Sequence, residues 1–146
     1  RQALPQQQRT PQQRSDIARG GYILIEPAGA PQCIVVASGS EVGLAAEAVK
    51  AANAEGLRVR LVSMPCTEVF DAQDDAYRES VLPKAVRARV AVEAGATVGW
   101  WKYVGLDGRV LGIDRFGASG KVQDLFPHFG FTADNVGRLI REAIQS

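Results

Sequence analysis

From residue 22 onward, short apolar runs alternate with helix-favouring stretches. Tyr22 to Glu26 is rich in β-favouring residues and ends at Pro27 and Gly29, which predicts a short strand. Cys33 to Ala37 (Cys-Ile-Val-Val-Ala) is apolar throughout, the pattern of a strand covered on both faces. Glu41 to Ala54 is Ala-rich and predicts a helix, with Ser40 as N-cap and Glu41 at the positive end of the dipole. Gly56 stops it, and Val59 to Ser63 predicts the next strand. Pro65 then breaks the pattern. Asp74 to Val81 reads as a short helix closed before Pro83, Ala88 to Glu93 as a strand, Gly95 to Val104 as a short helix or ordered loop, and Val110 to Ile113 as a last short strand. Lys121 to Phe126 and Thr132 to Ile144 read as helices. The second takes Thr132 as N-cap, with Val136, Leu139, Ile140 and Ala143 on one face.

Strands separated by helices at this spacing imply an α/β fold: a three-layer α/β/α sandwich around a mostly parallel five-stranded sheet. The Tyr22 and Cys33 strands are joined by a Pro/Gly-rich loop too short for a helical crossover. The first strand is therefore expected to be antiparallel and at one edge. Arg1 to Arg19 is rich in Gln, Arg and Pro, lacks apolar periodicity, and reads as a linker or extended arm ended by Gly20-Gly21.

Length and charge narrow the function classes. The 146 residues suffice for one domain with a real core. Seventeen Lys and Arg against sixteen Asp and Glu leave a net charge of +1, spread along the chain. No basic face for nucleic acid and no polybasic membrane anchor is expected. The apolar runs are strand-sized, well short of the ~20 residues of a membrane-spanning helix. No signal-peptide pattern or initiator Met opens the sequence, so Arg1 reads as the start of a fragment. Cys33 and Cys66 read as reduced thiols of an intracellular protein.

Candidate chemistry is sparse. Ser38-Gly39-Ser40-Glu41 lies at a strand-to-helix turn, but it lacks the further glycines of a dinucleotide fingerprint, and Glu41 would repel a phosphate. Capping is the favoured reading. Gly117-Ala118-Ser119-Gly120-Lys121 is shorter than a phosphate loop, and Val122 stands where a magnesium-binding Ser or Thr is needed. A tight bend presenting Lys121 is preferred, while Arg115 and Lys121 remain open to a partner subunit or an anion. His128, the single histidine, has no arguable orienting carboxylate or nucleophile and reads as a surface or packing residue. Glu93 ends a strand where open α/β sheets gather ligands; it is open to a functional, capping or interfacial role. Trp100, Trp101 and Tyr103 read as an interface cluster.

Several stretches, in order, resemble the transketolase family. Arg1-Gln2 with Leu4-Pro5 is similar to the segment leaving that family's pyrimidine-binding domain. Gly20-Gly21-Tyr22, Ala37 to Val42, Val62-Ser63-Met64-Pro65, Phe70-Asp71 and Tyr77 to Pro83 follow. Glu93, the Gly112 to Lys121 run with Asp114, and Phe129-Gly130-Phe131-Thr132 complete the match. The resemblance implies a C-terminal α/β domain at 22–146 preceded by an interdomain linker at 1–21. The whole enzyme is then a cytoplasmic homodimer that moves a two-carbon ketol unit between sugar phosphates. Its cofactors are thiamine diphosphate and a divalent metal, Mg or Ca. The Gly-Asp-Gly metal motif, the channel histidines and the cofactor-activating glutamate of the family are absent from this sequence. No cofactor and no ketol transfer are therefore expected of this piece alone. One substrate residue carries over by resemblance: Arg1 occupies the position of the arginine that binds the sugar phosphate. Asp114, Arg115 and Lys121 match motifs read as structural or interfacial. The alternative is a free-standing binding or regulatory module with the same fold.

Overall fold

The computed structural model describes residues 7–94, 98–112 and 131–146. The readings placed on Arg1, Asp114, Arg115, Lys121, His128 and the Lys121 to Phe126 helix lie outside these residues. The chain runs α1 (Pro11–Asp16), β1 (Tyr22–Ile25), β2 (Cys33–Ala37), α2 (Glu41–Ala54), β3 (Val59–Ser63), α3 (Thr67–Asp71), α4 (Asp75–Val81), β4 (Arg89–Val92), α5 (Trp101–Val104), β5 (Arg109–Leu111) and α6 (Ala133–Gln145). One-turn 3₁₀ segments follow α1 and precede α5.

The five strands form one sheet in the order β1-β3-β2-β4-β5. β2 pairs in parallel with β3 and β4, and β4 in parallel with β5. β1 runs antiparallel to β3 at the edge, as its short connection to β2 demanded. Alternation along β2 supplies both halves of the core. Cys33, Val35 and Ala37 face a layer built with α2 and α6, through Ala45, Val49, Val136 and Ile140. Ile34 and Val36 face the other layer, with Met64, Phe70, Val81, Trp100 and Tyr103. These layers make the α/β/α sandwich.

Several local signals decide differently from the sequence reading. The arm is helical from Pro11, not extended. Thr10 and Gln13 form a capping box around α1, and Pro11 sits in the first turn, where its missing N–H costs nothing. Ser40 stands before α2, yet its hydroxyl does not cap that helix; it donates to Glu41 Oε1 at 2.9 Å instead. Asp74 and Thr132 do cap, accepting from Tyr77 N at 2.8 Å and Asn135 N at 3.1 Å. Trp100 and Tyr103 belong to the chain's own core, their rings 5.6 Å apart, because their i,i+3 spacing puts both on the inner face. Trp101, one position on, is exposed.

Two strand arginines tie the α4 layer to the sheet. Arg60, on β3, is buried. It donates to Glu26 at 2.8 and 2.7 Å and to the Ser80 and Val81 carbonyls, both at 3.0 Å. Arg89, on β4, donates to the carbonyls of Leu82, Pro83, Val86 and Tyr103 at 2.7–3.2 Å. Several of these acceptors are the open carbonyls at the end of α4, while Pro83 O also accepts from Val86 N at 3.1 Å. Burial favours the neutral form of Arg89 and lowers its pKa, partly offset by the Glu79 carboxylate.

Where the arm meets the sheet, Gly20 takes φ +86 and its carbonyl accepts from Cys66 N at 3.0 Å. A Cβ at Gly20 would stand 2.4 Å from both Cys66 O and Phe70 N, which are backbone atoms with little freedom to retreat. Gly20→Ala is expected to cost at least ~2 kcal/mol, from positive-φ strain together with the clash, read as a lower urea midpoint at unchanged m-value.

Candidate functional site

The C-terminal ends of the parallel strands are where an open α/β sheet places ligands, so chemistry is sought there first. β2 ends into Ser38-Gly39-Ser40, and the neighbouring β4 ends into Glu93. Because the two strands pair in register up to Ala37 and Val92, the following residues come side by side. Ser38 Oγ donates to Glu93 Oε2, and Glu93 N donates to Leu111 O at 3.0 Å. Glu93 thereby links the ends of β2, β4 and β5.

Glu41 opens α2 beside this link and is only 2% exposed. Its N–H donates to Ser38 O at 3.2 Å, and its carboxylate accepts from Ser40. Burial raises its carboxyl pKa. The Ser40 hydroxyl and its own backbone N–H oppose that shift, and the Glu93 carboxylate reinforces it. A cleft of about 480 Å³ lies alongside, bounded by Ser38, Glu93, Met64, Cys66, Glu68 and Trp100.

Among the described residues this constellation holds hydroxyls and carboxylates and no imidazole, so they form no Ser-His pair of the kind used in nucleophilic catalysis. Glu41 at the start of α2 and Glu93 beside it put two carboxylates at this turn, an unfavourable setting for a phosphate. Among the described residues, no group of three or more His, Cys, Asp or Glu is placed to hold a metal ion. Cys33 lies deep in the core, and burial pushes its thiol up to about 12, so it is not a thiolate at neutral pH.

A larger cleft, about 850 Å³, opens on the other layer between α3, α4 and α5. Asp71 accepts there from Tyr103 Oη at 2.9 Å and Lys102 Nζ at 2.6 Å. Burial first, then Asp71, pushes the Tyr103 phenol up to about 12. The lysine pairs with the carboxylate, and Arg89 in the same wall is occupied by carbonyls. These groups are already matched to one another and serve packing.

The sequence reading singled out Glu93 but not its contact with Ser38. That contact depends on β2 and β4 being neighbours, and a single sequence does not give strand order.

Glu41 supplies a direct check on the site's electrostatics. Its pKa is raised in the folded chain, so stability tied to the protonated carboxyl is present at low pH and is lost as pH rises through that raised value. Glu41→Gln keeps an acceptor for Ser40 without a charge. The Tm of Glu41→Gln relative to the unsubstituted chain is expected to rise between pH 4 and pH 7, with most of the change just above the ordinary carboxyl range; equal Tm differences at both ends refute this.

Residues 20–132 match the family model described as the transketolase-like TK C-terminal domain. The chain is 56% identical over 144 residues to Transketolase 1 of Escherichia coli (strain K12), covering 99% of this chain and 22% of that protein. Transketolase 1 of Vibrio parahaemolyticus serotype O3:K6 is 53% identical over the same span. Among solved structures, transketolase from Leishmania mexicana superposes with a TM-score of 0.80 at 44% identity, over 90% of this chain and 19% of that one. The chain thus spans about a fifth of the length of these relatives. Matched in sequence across the described sheet and in topology to solved members, this chain belongs to the transketolase family as its C-terminal domain.

Proposed function

We propose that this chain serves as the supporting C-terminal domain of a transketolase that transfers a two-carbon ketol unit from a ketose phosphate to an aldose phosphate. One observation carries the reading: 56% identity to a transketolase, extending over 99% of the chain. In this proposal residues 1–21 are the interdomain linker and 22–146 the domain, within a cytoplasmic homodimer of the whole enzyme. Thiamine diphosphate and Mg or Ca would supply the carbanion chemistry from elsewhere in that enzyme.

The described residues do not fit that cofactor. A diphosphate needs donors and cations, and the sheet edge offers the buried Glu41 beside Glu93. No step of the transfer is assigned to these residues. They instead hold a rigid sheet whose N-terminal arm carries Arg1. In this reading the Arg1 guanidinium grips the substrate phosphate through paired N–H donors.

The test is an assay of the parent enzyme with thiamine diphosphate, magnesium, a ketose phosphate donor and a ribose phosphate acceptor. Ketol transfer is expected, with pyruvate failing as donor. Arg1→Ala is expected to raise KM for phosphorylated acceptors about tenfold or more, the loss of a charge-assisted contact, with little effect on an unphosphorylated aldose. Efficient use of pyruvate would overturn the reaction, and equal effects on both acceptors would overturn the role of Arg1.

A further inference from the structure

β1 and β3 run antiparallel, and their register sets Tyr22 opposite Ser63. Residues paired in this way send their side chains to the same face of a sheet. Here it is the α2 face, since Tyr22 and Leu61 belong to the core half packed against α2 and Val62 to the other. Both side chains are deeply buried, Tyr22 at 2% exposure and Ser63 at 5%. Both also line a cleft of about 300 Å³, bounded on one side by Gly39, Ser40 and Gly43 around the start of α2. That volume is at the small end of ligand pockets.

The polar groups that face this cleft are not used up by the fold. Among the described residues the Ser63 hydroxyl has no hydrogen-bond partner. Tyr22 Oη accepts from Arg9 Nε at 2.7 Å, and its own O–H has no acceptor among them. Arg9 Nη1 donates to Gln7 O at 3.0 Å, while Nη2 has no described partner and no described carboxylate pairs with the guanidinium. Arg9 is the one charged residue among those lining the cleft. Glu41 accepts the Ser40 hydroxyl and does not line it.

A buried hydroxyl without a partner is costly, and a ligand group that pairs it recovers the loss. One guanidinium matches one negative charge. The Glu41 carboxyl beyond Ser40 adds a repulsion that grows with ligand charge, which favours a carboxylate over a phosphate dianion. Ile17, Val42 and Pro65 supply an apolar wall for a short hydrocarbon body. We infer that this cleft binds a short-chain hydroxycarboxylate, with its carboxylate on the Arg9 guanidinium and the Tyr22 hydroxyl and its own hydroxyl on Ser63.

The test titrates the isotope-labelled 146-residue chain with 2-hydroxyisobutyrate, isobutyrate or inorganic phosphate and follows the amide shifts by NMR. The hydroxy acid is expected to give saturable shifts at Arg9, Tyr22, Gly39 and Ser63. Isobutyrate, which lacks the hydroxyl, is expected to bind about fivefold more weakly, and phosphate more weakly than the hydroxy acid. Ser63→Ala is expected to lower the affinity of the hydroxy acid to that of isobutyrate and to leave isobutyrate unchanged. Arg9→Gln is expected to weaken both acids about tenfold or more. If Arg9→Gln also frees the arm from Tyr22, the Ser63→Ala comparison decides, because it leaves Arg9 and Tyr22 in place. Absence of saturable shifts at these residues, phosphate binding at least as tightly as the hydroxy acid, or equal losses for both acids in Ser63→Ala overturns the inference.

Discussion

The structure depends on one demand, that β2 be covered by apolar side chains on both of its faces. All five of its residues are buried, and alternate positions feed the two halves of the core. A parallel strand in the middle of a sheet cannot give either face to water, so helices must lie on both sides. α2 and α6 close one side, while α3, α4 and α5 close the other. Burial of each Val or Ile is worth roughly 1.5–3 kcal/mol, well above a single cap or surface ion pair. The polar devices therefore refine a fold that the central strand imposes.

Those devices are concentrated where the layers change. Arg60 and Arg89 rise from adjacent parts of the sheet and fill the carbonyls at the end of α4 and the turn beyond. At the opposite end of the strands, Ser38 and Glu93 fasten β2 to β4, and Glu41 is buried against them. At both ends of the sheet these named groups are thus paired within the chain.

Much of this was legible in the sequence. The bounds of β2, α2 and β3 coincide with the apolar run at 33–37, the Ala-rich stretch at 41–54 and the run at 59–63. The antiparallel edge strand followed from a loop too short to cross over. α1 escaped because it owes nothing to an apolar face. Its signal was the local Thr10-Pro11-Gln12-Gln13 pattern of a capping box with proline in the first turn. α3 is a five-residue turn of helix, too short for periodicity to mark it. The aromatic cluster was placed at an interface because its composition, without its helical phase, does not separate an inward Trp100 from an outward Trp101. The meeting of Ser38 with Glu93 was beyond reach, since residues 55 apart become neighbours only through strand order.

That order also constrains the history of the molecule. β1 and β2 are successive in the chain, yet β3 stands between them, and among the described residues β3 is the one strand against which β1 lies. The segment at 22–25 therefore has no strand partner until residues 59–63, made later, are available. Both pairings of β3 are non-local in sequence, so each carries a loop-closure cost. On a ribosome, β1 would emerge well before the strand it pairs with.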